Sequence, residues 1–98
     1  MKESDLILKI RNWLVKNRCL AFKYHGSVYG YKGHSDIYGV LPNGRAFFLE
    51  VKLPGKKPEP HQEAFLRLAG TYDAVTGWCS SLDGAKKIIK NYLVSEKR

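Results

Sequence analysis

Arg45 to Leu53 reads RAFFLEVKL, an apolar strand pattern broken by Glu50 and Lys52. Side chains alternate along a strand, so Phe47, Leu49 and Val51 share one face while Glu50 and Lys52 share the other. Burying a carboxylate or an ammonium is costly unless it is paired or bound to a metal. A chain of 98 residues folds as one domain, residues 1–98, with a small core and little room for such a cost. The charged face therefore needs a chemical reason.

The preceding run, DIYGVL, is a second strand, joined to the first through Pro42-Asn43-Gly44. Proline presets the first turn position and glycine accepts the left-handed conformation, which suits a three-residue loop with a bulge. With Leu41 and Arg45 flanking that loop, counting outward places Asp36 opposite Glu50. Two like charges directly opposite on an antiparallel pair are destabilising. A divalent cation between them removes the repulsion, and oxygen-only ligation suits Mg²⁺ or Mn²⁺. Asp36 and Glu50 thus read as metal ligands and Lys52 as the cation beside them. Gln62 opens the following helix, within reach of an attacking water or a scissile phosphate.

The rest of the chain supplies the frame. Leu6, Ile7, Ile10, Trp13 and Leu14 give a helical stripe over Ser4–Asn17. Cys19 to Gly26 reads as a short strand, and Ser27 to Ser35 as a loop or irregular strand. Pro60 suits the first turn of a helix with apolar positions at Ala64, Phe65, Leu68 and Ala69, ended by Gly70. Thr71 to Ser80 is a further strand. Ser80 or Ser81 caps a last helix, whose apolar face is Leu82, Ala85, Ile88, Ile89, Tyr92 and Leu93. A hairpin followed by a crossover helix predicts an α/β fold with a mixed central sheet flanked by helices.

The 17 basic and 9 acidic residues give a formal charge of +8, which favours a polyanionic partner, nucleic acid first. No apolar run is long enough to span a bilayer, and MKESDLILKI lacks the apolar stretch and cleavage site of a signal peptide. Cys19 and Cys79 have no metal-binding spacing and read as reduced thiols of a cytoplasmic protein. His34 and His61 flank the carboxylates without zinc spacing. Lys56 and Lys57, in the basic loop after the charged strand, are placed to meet DNA phosphates.

Asp36 followed by Glu50-Val51-Lys52 resembles the D…E-x-K signature of PD-(D/E)XK nucleases. The order GHSD, PNG, EVK, LPGKKPEP, HQEAF is similar to the VRR-NUC family, and the likeness runs from about Glu3 to Ile89. Ser35 departs from it, since the family usually has proline there. The resemblance implies a restriction-endonuclease-like αβββαβ(α) core. It implies Mg²⁺- or Mn²⁺-dependent cleavage of structured DNA, four-way (Holliday) junctions above all, by a homodimer, in the host cytoplasm if the source is viral. It also implies Asp36, Glu50 and the Val51 backbone carbonyl as metal ligands, with Lys52 and Gln62 in the site. Glu3 sits where the family often has an acidic residue on its first helix, and His34 lines the DNA cleft. Tyr24, Tyr29, Tyr31 and Trp78 fall outside the helix and strand stripes and are candidates for a dimer surface. Tyr29, Tyr31 and Tyr38 either stack on bases or pack. Two rival readings keep the same frame: a nucleic-acid-binding module without catalysis, and a nuclease of plain duplex or flap DNA.

Overall fold

A computed structural model describes residues 1–26 and 30–93. The elements are α1 (Glu3–Lys16), β1 (Leu20–Lys23), β2 (Ile37–Val40), β3 (Ala46–Val51), α2 (Pro60–Gly70), β4 (Val75–Cys79) and α3 (Leu82–Ile89), closed by a 3₁₀ turn at Lys90–Tyr92. The strands form one sheet in the order β1-β2-β3-β4. The first two pairings are antiparallel, whereas β3 and β4 run parallel, joined through α2. This is the expected mixed sheet. Among the described residues no helix is long and apolar enough to cross a membrane.

The hairpin fixes the register. Leu41 N–H donates to Arg45 O at 2.8 Å and Gly44 N–H to Leu41 O at 2.9 Å, with Gly44 at φ +91°. Ile37 then pairs with Leu49, which leaves Asp36 facing Glu50 one step beyond the last β2–β3 pair.

One face of the sheet carries Ala21, Ile37, Phe47, Leu49, Val51, Val75 and Cys79, and it is closed by Leu6, Ile7, Ile10 and Leu14 of α1 and Ala85 and Ile89 of α3. The other face receives α2, which contacts β3 and β4. The buried side of α2 differs from expectation. Leu66 and Ala69 are buried and Phe65 half-buried, while Ala64 and Leu68 are exposed. Gln62, Phe65, Leu66 and Ala69 make a stripe at helical spacing, so the docked face begins at a polar residue.

An aromatic cluster holds α2 and the loop before β2 against the sheet. His34 stacks on Tyr24 at 4.0 Å between centroids and meets Phe65 at 4.8 Å. It also touches Tyr38 and Phe48 edge-on. Gly33 lies in the left-handed region at φ +87°, and a Cβ there would collide with the carbonyl oxygen of His61. Only glycine lets this loop approach the start of α2 so closely. Tyr29 lies outside the described residues, Tyr31 and Trp78 are exposed, and Tyr24 is packed in the cluster.

Candidate active site

Glu50 is 1% exposed. The strand turns it to the α2 side of the sheet, where three neighbours hold it. Gln62 Nε2 donates to Glu50 Oε2 at 2.6 Å. Lys52 Nζ stands 3.7 Å from the same oxygen. Asp36 is the third neighbour. Its Oδ2 accepts the Val51 N–H at 2.9 Å. That bond arises from the end of β2. Lys52 N–H donates to Cys79 O on the β4 side, so the amide of Val51 turns the opposite way, towards β2. With β2 no longer alongside, the Asp36 carboxylate takes the place of a strand partner. The Val51 carbonyl lies on this same side of the strand.

The Gln62 amide is oriented from both ends. Its Oε1 accepts the Glu59 N–H at 2.8 Å, the reciprocal half of a capping box at the start of α2. The amide nitrogen therefore has to face Glu50. Sequence spacing assigns Gln62 to a water or a phosphate; the structure places it on Glu50 instead.

The electrostatics reflect this crowding. Burial, then the Asp36 charge, pushes Glu50 up to about 7, with Lys52 opposing and Glu3 adding a smaller upward push. Burial also raises Asp36, against the Val51 N–H bond, Lys52 and Lys23. Glu3 is half-buried at the start of α1 and acts on Glu50 through its charge. Among the described residues no three His, Cys, Asp or Glu side chains converge on one point that could hold an ion. The pair is Asp36 and Glu50, with Glu3 behind it.

The residues present fit a divalent cation. Glu50 Oε1 is buried and, among the described residues, has no hydrogen-bond partner. A buried carboxylate oxygen without a partner is costly, and ligation would satisfy it. Two carboxylates and a backbone carbonyl form the hard oxygen set that Mg²⁺ and Mn²⁺ accept, with water or phosphate oxygens completing the shell.

At Ser35, where the resembled pattern usually has proline, a side-chain bond ties the approach to β2 to the strand. Ser35 is fully buried and its Oγ donates to Ile37 O at 3.1 Å. The neighbouring His34 Nδ1 is 2.9 Å from Ser35 O, which assigns the proton to Nδ1. His34 is thus a packing centre that steadies the segment carrying Asp36. Lys56 and Lys57 are exposed on a turn where Gly55 has φ +90° and Lys56 N–H donates to Leu53 O at 3.1 Å.

No family model matches the chain. The curated "Putative nuclease p44" of Acyrthosiphon pisum secondary endosymbiont phage 1 is 37% identical over 60 residues, which is 61% of this chain and 58% of that protein. The chain therefore spans less than two thirds of this relative's length. A solved structure titled "VRR_NUC domain" superposes with a TM-score of 0.76 at 26% identity, covering 92% of this chain and 96% of its own. The chain is thus similar to VRR-NUC domains in fold and in sequence. A second structure, "VRR_NUC domain protein", has a TM-score of 0.74 over 95% of this chain and 88% of its own; at 13% identity it speaks for the fold alone.

Two neighbours of the site carry no catalytic signal in the sequence. Trp78 pairs with Glu50 across the β3–β4 ladder and is 41% exposed on the same face. Lys23 pairs with Ile37, beside Asp36. Neither residue stands in a motif, and only the sheet order brings them to the carboxylates.

Proposed function

We propose that this chain is a divalent-metal-dependent DNA endonuclease. One observation carries the reading: a fully buried Glu50 with an unpartnered oxygen, flanked by Asp36, Lys52 and Gln62, on the VRR-NUC fold. A Mg²⁺ or Mn²⁺ ion held by Asp36, Glu50 and the Val51 carbonyl would supply a nucleophilic water and neutralise charge on the reacting phosphate. Lys52 holds a fixed positive charge beside Glu50, placed to stabilise the charge that develops on the phosphate. Gln62 keeps the Glu50 carboxylate in one orientation. Lys56 and Lys57 contribute phosphate attraction.

Four-way junctions are the substrate this reading favours, cut by a homodimer, since two symmetric cuts need two sites related by a two-fold axis. Leu20, Val40, Leu68 and Tyr72 are exposed apolar residues at the hairpin end of the sheet, away from the carboxylates. They offer the surface for such a dimer. The two free, buried thiols suit a reducing cytoplasm.

The test is a panel of labelled duplex, flap and four-way DNA, incubated with Mg²⁺, with Mn²⁺ or with a chelator. Metal-dependent cleavage that prefers the junction is the expected result. Cleavage unaffected by chelation overturns the metal site. Equal rates on all substrates reduce the reading to a general DNA nuclease. Light scattering reports the dimer, and a mass of one chain at micromolar concentration removes the symmetric model.

A further inference from the structure

A cleft of about 430 Å³ opens at the free edge of β1, lined by Leu8, Arg11, Phe22, Lys23, His25 and Tyr38. We propose that it is a subsite for one unpaired nucleotide of the DNA, with the base on Phe22 and Tyr38 and the flanking phosphates on Lys23, Arg11 and His25. The proposal rests on the nuclease reading and narrows its substrate class.

The chemistry of the lining selects that occupant. Phe22 is 42% exposed, although it lies 5.6 Å from Tyr38, centroid to centroid. An aromatic pair with a free face offers a stacking platform that any base can use. Among the described residues, three basic side chains and no carboxylate line the cleft. The ion pairs seen among the described residues are Arg45–Asp73 and Lys52–Glu50, so neither Arg11 nor Lys23 is held in a close ion pair, although the Lys23 charge also acts on Asp36. Arg11 is anchored, because its Nε donates to Ala21 O at 3.0 Å on the open edge of β1. That bond also blunts the edge against pairing with another strand. The volume is that of a site for a single small ligand. Bases inside a duplex are already stacked on each other, so only an unpaired nucleotide can present its face to Phe22.

The cleft also lies in the right place. Tyr24 N–H donates to Asp36 O at 2.8 Å, and Lys23 pairs with Ile37. The cleft wall is therefore one residue along the sheet from a proposed metal ligand. A strand running from the cleft to the carboxylates would have its unpaired nucleotide beside the scissile bond. Substrates that expose such a nucleotide, at a branch point or a flap, are the class selected.

The experiment uses the metal-free full chain, which keeps the DNA intact. A fluorescein-labelled oligothymidylate and a blunt duplex are titrated separately by anisotropy. Phe22→Leu retains the apolar bulk of this exposed residue and removes the ring. The affinity ratio of single strand to duplex is expected to fall about tenfold in Phe22→Leu. Lys23→Ala is expected to lower the salt dependence of single-strand binding by about one phosphate contact. An unchanged ratio in Phe22→Leu overturns the subsite, as does an equal loss for both DNAs. Cleavage by the metal-loaded wild-type chain is read separately. A chain that cuts DNA with an unchanged ratio loses only the subsite, whereas a chain that cuts nothing but shows the ratio change loses only the nuclease reading.

Discussion

On one face of β3, Phe47, Leu49 and Val51 are completely buried under α1 and α3. On the other, Phe48 packs on Phe65 of α2 at 5.3 Å, and Glu50 and Lys52 come next along the chain. Both faces exclude water from their centre, by different means. The apolar face needs only matched shapes, and its free energy comes from removing hydrocarbon from water. The charged face holds a carboxylate that is equally buried, satisfied at one oxygen by Gln62 and Lys52 and unsatisfied at the other. It is a costly arrangement for a small domain, and the proposed cation would account for it. Stability and chemistry are thus divided between odd and even positions of a six-residue strand.

Disrupting the apolar face is expected to have the largest effect. Phe47→Ala should cost about 3–5 kcal/mol in chemical denaturation, a large share of what holds a small domain together. A cost below about 1 kcal/mol would show that the core lies elsewhere.

Neutralising the charged face should do the opposite to the fold. Glu50→Gln is expected to reduce metal-dependent cleavage about a thousandfold. It should also stabilise the metal-free chain, by up to about 3 kcal/mol above neutral pH. The sign comes from linkage. Glu50 sits at about 7 in the folded chain against an ordinary 4.5, so the folded state holds the proton more tightly. Its stabilising contribution is complete below about 4.5 and is lost as the pH rises through about 7. Thermal melts of the metal-free chain should therefore decline from about pH 5 to about pH 8, and Glu50→Gln should flatten that decline. A variant that melts lower than wild type at the alkaline end would contradict the account.

Lys52→Ala separates two roles within the charged face. A single-turnover rate about a hundredfold lower is expected, with DNA affinity nearly unchanged, because one of 17 basic residues adds little to the overall attraction. Matched losses in rate and affinity would make Lys52 a phosphate contact only.

Gln62→Ala is the mildest change, about tenfold in activity. Because Gln62 acts through Glu50, the loss should appear as a higher Mg²⁺ concentration for half-maximal rate. A lower rate at saturating metal with an unmoved midpoint would assign it a different role.

Neighbouring residues alone specify the hairpin and the register it imposes. Pro42-Asn43-Gly44 is a local turn signal, and a two-fold period then carries the register out to Asp36 and Glu50 without distant information. The helix stripe of α1 and a serine cap at position 80 or 81 were legible for the same reason; the structure uses Ser81, whose Oγ accepts the Gly84 N–H at 2.9 Å. Features that depend on residues far apart in the chain were not. The face of α2 is one of them, since Leu66 and Leu68 permit two apolar stripes. The bond from Gln62 to Glu50 and the His34 cluster select the stripe that starts at Gln62. The site neighbours Lys23 and Trp78 are another, because they reach the carboxylates only through the order β1-β2-β3-β4. Local turns and periods are written into adjacent residues; the pairing of surfaces is settled by the free energy of the whole packed chain.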